Sequence, residues 1–129
     1  MPKAHNPTTV APPFSRYSHA IEAPASARWL HISGQVGVTP DGRTLDGAEA
    51  QMEQAWRNIF ALLDAAGMTR RDLVKVTIYL TDRAHLQLSR SVRDRMLQGK
   101  AEPASTLVIV SGLASADWGV EIEALAAAE

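Results

Sequence analysis

Two carboxylates, Glu121 and Glu123, lie two residues apart in a run where Val120, Ile122 and Ala124 alternate against Glu121, Glu123 and Leu125. A period of two belongs to a strand with one buried face, so both glutamates project from the same side. In bulk water that side is an ordinary polar face. Under a neighbouring chain one carboxylate loses solvent, which raises the pKa of a carboxyl group and makes it a candidate acid or base. Arg90 and Arg93 stand three apart on a helical pattern and share a flank, offering cations to an anion, with Asp94 beside them to soften the charge. A solvated face is the plain alternative for that pair. His19 and His31 fall at alternate positions in two strand-like runs that can face one cleft, where they would titrate in a range useful to a general acid. A strand histidine hydrogen-bonded to a neighbour is the simpler reading.

Composition removes several classes of chemistry. The chain has 129 residues with 13 basic and 14 acidic side chains, a formal net charge of -1, so no long-range field draws it to nucleic acid or an anionic membrane. Trp29, Trp56 and Trp118 have no basic stripe beside them and read as core or interface anchors rather than a base-stacking platform. No cysteine is present, which excludes thiol nucleophiles, disulfides and cysteine metal sites. His5, His19, His31 and His85 show none of the short metal-ligand spacings, so no metal is expected. The N-terminal residues lack the apolar run of a signal peptide and no stretch has the length of a membrane span, which points to the cytoplasm.

The elements that must position these groups follow from periodicity. The length fits one domain, 1–129, in which the proline-rich residues 1–14 form an extended arm of the kind that drapes over a neighbouring subunit. Residues 17–22 and 29–33 read as two strands of a hairpin, ending at Ser33-Gly34-Gln35. Asp46 and Glu49 resemble a capping box for a helix whose stripe is Met52, Ala55, Trp56, Ile59, Leu62, Leu63 and Ala66, closed by Gly67. In the strand 73–80, Val74, Val76, Ile78 and Leu80 face one way and Lys75, Thr77 and Tyr79 the other. Asp82 caps a second helix, 82–98, with Leu88, Val92 and Met96 as its core stripe and Gly99 at its end. Two closing strands, 105–110 and 118–125, are expected to be antiparallel in type. The sum is an α+β two-layer domain, a mixed sheet with two helices on one face. The other face, expected to carry Tyr79, Leu107, Ile109 and Leu125, would leave an apolar patch that a closed homo-oligomer covers.

Three blocks of this sequence, Ser33-Gly34-Gln35, residues 65–68 through 72–82, and Pro103-Ala104 through Val120-Glu121-Ile122-Glu123-Ala124, are similar to the Rid family, also called YjgF or reactive intermediate deaminase. The likeness runs from about residue 17 to the C-terminus with block order and spacing kept. It implies a chorismate-mutase-like fold and a homotrimer with clefts between adjacent subunits. It further implies hydrolysis of reactive enamines and imines such as 2-aminoacrylate to the 2-keto acid and ammonia, without a cofactor. An imine carbon needs an attacking water, a group that moves protons and a cation for the substrate carboxylate. In the family, a glutamate on the last strand does the second task and an arginine after Pro-Ala the third.

Carried over by position, Glu121 is the catalytic glutamate, Tyr17 matches a tyrosine that lines the cleft, and Gly34 lies in the matching turn. Ser105 stands where the family has its arginine, and Leu107, two residues along, joins it in the substrate-binding set. A hydroxyl cannot replace a bidentate guanidinium. Losing one charge-assisted partner costs roughly 1.5 to 3 kcal/mol of binding, about one to two decades of affinity. Arg90, at a position where the family has an asparagine that reaches the cleft, is expected to supply the missing charge from another wall, with Ser105 leaving extra volume. The competing reading is a small-molecule-binding or regulatory homologue that lost the chemistry with its arginine. Ribonuclease activity, sometimes attached to the family by name, is disfavoured by the balanced charge.

Overall fold

Alternation of apolar and polar side chains lays down the sheet, and the structure, a computed structural model, describes residues 2–129. Its elements are β1 Lys3–His5, β2 Ala20–Glu22, β3 Arg28–Val36, α1 Ala48–Ala65, β4 Leu73–Leu80, α2 Leu86–Leu97, β5 Ala104–Ile109 and β6 Val120–Ala128. Four of the strands form a mixed sheet in the order β3-β6-β4-β5. β6 is antiparallel to both of its neighbours, and β5 is parallel to β4. The expected two-layer α+β architecture is the one observed. Val76, Ile78 and Leu80 on β4 and Val120 and Ile122 on β6 turn their side chains toward the helices. There they meet Met52, Trp56, Ile59 and Leu63 of α1 and Val92 and Leu97 of α2 in one buried cluster. Among the described residues no helix is long and apolar enough to cross a membrane.

Several local expectations are corrected. Residues 17–22 and 29–33 do not form a hairpin: β2 pairs with β1, while β3 pairs with β6. The arm therefore folds back on its own chain, where His5 Nε2 lies 2.9 Å from Glu22 Oε1. Strands 105–110 and 118–125 do run in opposite directions, but β4 lies between them and pairs with each. A helix between two strands returns the chain in the same direction, so β4-α2-β5 makes a parallel crossover unit. Asp46 does not cap α1: the N-cap is Gly47 at φ 92°, with no side-chain hydrogen bond. A capping box does occur on the short turn Arg70–Asp72, between Thr69 and Asp72. Asp82 behaves as expected, its carboxylate accepting the Ala84 N–H at 2.9 Å, but the turn it starts, Arg83–His85, is of the tighter 3-10 type before α2 begins. Leu62, assigned to the α1 stripe, is exposed.

Candidate active site

Gln51, buried on α1, fixes where β6 begins. Its amide donates to the carbonyls of Leu45 and Asp117, both at 2.9 Å, and its Oε1 accepts the Gly119 N–H at 2.9 Å. From that anchor Val120, Ile122 and Ala124 point into the core, and Glu121 and Glu123 emerge half-buried on the sheet face away from the helices. β3 meets β6 with one residue to spare, since Ile32 lies opposite Ala124 and Gln35 opposite Ile122. This bulge carries the Gly34 backbone under the Glu121 carboxylate, where a Cβ on residue 34 would lie 1.9 Å from Glu121 Oε2. Glycine leaves the space that the Glu121 carboxylate occupies.

The two glutamates differ in their partners. Tyr79, opposite Glu121 in the β4–β6 register, donates its hydroxyl to Glu123 Oε1. That hydrogen bond, followed by burial and the charges of Glu123 and Glu121, lifts the Tyr79 phenol above its ordinary 10.0. Glu121 has no hydrogen bond or ion pair among the described residues. His31, Ser33, Lys75 and Thr77 line a shallow cleft of about 360 Å³ with Glu123 on this face.

The remaining candidates come together elsewhere. Tyr17, Arg90, Ser105 and Leu107 line one cleft of about 340 Å³ between the arm, α2 and β5. Leu107 and Ile109 were expected on the outer face with Tyr79; the parallel register instead sets Ser105 opposite Val76, Leu107 opposite Ile78 and Ile109 opposite Leu80. Those partners face the helices, so the cleft opens on the helix side of the sheet edge while Glu121 and Gly34 lie on the opposite face. The Tyr17 hydroxyl accepts the Phe14 N–H at 3.2 Å and holds the arm at the cleft rim. His19 and His31 do not share a cleft. His19, just before β2, donates from Nε2 to the Ala11 carbonyl at 2.5 Å, and its ring meets Tyr17 edge-on with centroids 6.0 Å apart, so it ties the arm to the chain. Trp56 is a core anchor, Trp118 donates its indole N–H to Thr44 Oγ1 at 3.3 Å, and Trp29 is exposed.

Arg93 is the residue that the helical pattern placed only on a flank. It is 4 % exposed, and its guanidinium donates to Asp94 Oδ1 at 3.0 Å and to Ser15 Oγ at 3.3 Å. Arg83 also lines the cleft and was missed in the sequence. A signal for it existed: Arg83, Leu86, Arg90 and Arg93 follow the spacing i, i+3, i+7, i+10 of a single helical stripe. Among the described residues no group of His, Asp or Glu side chains is placed to hold a metal ion. A larger cavity of about 540 Å³ near the end of α1, beside Phe60, Met68 and Arg70, contains none of the candidate residues.

The endoribonuclease L-PSP family pattern matches residues 8–128. A RutC family protein of Aquifex aeolicus is 37% identical over 116 residues, covering 88% of this chain and 90% of the relative. The crystal structure of YyfB, a member of the conserved Rid family from Yersinia pestis, superimposes with a TM-score of 0.88 at 33% identity, covering 97% of both chains. The chain belongs to the Rid family. The Rid relatives include a 2-iminobutanoate/2-iminopropanoate deaminase of Mus musculus, 34% identical over 122 residues, which cover 92% of this chain and 87% of the relative. In this Rid protein the bulged turn and the last strand bring a glycine and a carboxylate against one another.

Proposed function

We propose that this Rid protein hydrolyses a 2-imino acid, or the enamine that tautomerises to it, to the 2-keto acid and ammonia. The reaction would take place in a cleft completed by a second copy of the chain in a homotrimer. Glu121 takes a proton from water as its oxygen bonds to the imine carbon. The imine nitrogen takes that proton to give a neutral carbinolamine; the same carboxylate then carries the hydroxyl proton to nitrogen as the C–N bond breaks, so that the carbonyl forms, ammonia leaves and the carboxylate is regenerated. Arg90 holds the substrate carboxylate, Tyr17 and Leu107 pack against the substrate, and Ser105 widens the pocket. None of these steps calls for a cofactor.

The observation that carries the reading is the Glu121 carboxylate, unpartnered and seated over the bare Gly34 backbone, in a chain similar to an imine deaminase. The separation of the candidates supports a shared site: Ser105 and Leu107 belong to the helix side of the sheet and Glu121 to the other. Opposite faces of one sheet cannot close on one small molecule. The test is release of ammonia and 2-oxobutanoate from 2-iminobutanoate generated in place. Wild type should exceed the uncatalysed rate, and Glu121→Gln should lose about 10²-fold or more of that turnover while still binding 2-oxobutanoate. Equal rates for the two proteins would end the assignment of Glu121.

Ser105 favours one rival, a binding protein without turnover. A keto acid that raises the melting temperature while no imine is consumed would select that rival.

A further inference from the structure

The cleft between the arm, α2 and β5 is lined by Arg83, Arg90 and Arg93 and by no aspartate or glutamate. The three guanidiniums are not equivalent. Arg93 is buried and satisfied by Asp94 and Ser15, so its charge is already compensated and its role is to shape the wall. Arg90 is half-buried and Arg83 exposed, and neither has a hydrogen bond or ion pair among the described residues. They stand seven residues apart, Arg83 on the 3-10 turn that leads into α2 and Arg90 on α2 itself, with Leu86 between them. Two uncompensated positive charges therefore bracket an apolar floor of Leu86, Leu107 and Ile109.

A monocarboxylic imino acid satisfies one of these charges and leaves the other without a partner. The geometry points to a substrate with a second carboxylate: a 2-imino acid whose side chain ends in an anion, its C1 carboxylate on Arg90 and its distal carboxylate on Arg83. Arg83 is then the specificity-determining residue of the cleft. A phosphate dianion gathers several donors, whereas one guanidinium at each end matches one carboxylate at each end. The intervening methylenes lie on the leucines, which offer no hydrogen bond to a hydroxylated chain. The inference rests on the proposed imine chemistry for the identity of the reacting group, and on the cleft alone for the number of charges.

Calorimetric titration at low salt with 2-oxoglutarate and with 2-oxobutanoate, product-like probes of two charges and one, tests the charge count. Wild type should bind 2-oxoglutarate about 10- to 100-fold more tightly, the worth of one charge-assisted contact. Arg83→Ala, a change at an exposed position whose fold is checked by its melting temperature, should erase that preference and leave 2-oxobutanoate affinity within about threefold. Equal affinities in wild type, a preference that survives Arg83→Ala, or no binding of either probe would overturn the inference. The imine assay separates the two readings. An Arg83-dependent preference without turnover of any imine keeps the dianion cleft and removes the proposed reaction. Turnover of 2-iminobutanoate without the preference does the reverse.

Discussion

Glu121 and Glu123 stand on the same face two residues apart, yet their environments differ. Tyr79 occupies Glu123, while Glu121 has only the Gly34 backbone beneath it. Gly34→Ala isolates the importance of that space. The new Cβ meets the flexible end of a side chain, with Glu121 Cδ at 2.6 Å and Cγ at 2.8 Å, so the carboxylate moves aside while the strand stays paired. We expect a folded protein with a melting temperature within a few degrees of wild type and a turnover lower by about 10²-fold, the effect of a displacement near 1 Å. Tyr79 gives a second residue-scale outcome. Its proton is held more firmly in the folded chain than at the ordinary 10.0. The contribution to stability is therefore complete below pH 10 and lost as pH rises through the raised folded value. Thermal melts of wild type and Tyr79→Phe should show a gap that is constant below pH 10 and closes above it. A gap that widens with alkalinity would contradict the assignment.

At the scale of elements, the site depends on where β6 starts, and Gln51 decides that. Three backbone groups, the carbonyls of Leu45 and Asp117 and the Gly119 N–H, take their hydrogen bonds from this one buried amide. Gly37 packs against it so closely that a Cβ there would lie 2.5 Å from the Gln51 backbone. Gln51→Leu keeps the approximate volume and removes all three partners, so urea denaturation should report a loss of about 2 to 4 kcal/mol. Arg95, exposed on α2 and reaching Glu49 and Glu53 on α1, should cost less than about 1 kcal/mol when changed to Ala. Such differences show what sequence reading reaches. The alternation of β4 and β6 and the stripe of α1 were legible because burial imposes a period, and the side on which Glu121 emerges followed from it. Strand pairing was not legible from periodicity, because an apolar run such as Leu107 to Ile109 looks the same beside either neighbour. The helix between β4 and β5 was the available clue to their parallel pairing. Gln51 was hidden for another reason: a polar residue inside a helical stripe reads as surface until the backbone groups it satisfies are known.

For the whole molecule, the proposed reaction requires a carboxylate on one sheet face and a cationic cleft at the other to meet one substrate. Rotational symmetry offers an answer in which each cleft takes Glu121 and Gly34 from one copy and Tyr17, Arg90, Ser105 and Leu107 from the next. The exposed Trp29 and Val108 lie on strands that such a contact can use. Glu121→Gln and Arg90→Ala then damage different walls, and mixing the two variants regenerates intact clefts. Each variant alone should be nearly inactive. Denatured together at equal concentration and refolded, they should recover about a quarter of wild-type turnover, since half the copies carry a sound first wall and half of their neighbours a sound second one. Recovery should fail when the two proteins are refolded separately and combined without subunit exchange. If the site lies within one chain, the mixture gives only the mean of two nearly inactive proteins, and sedimentation as a monomer would lead to the same conclusion without kinetics.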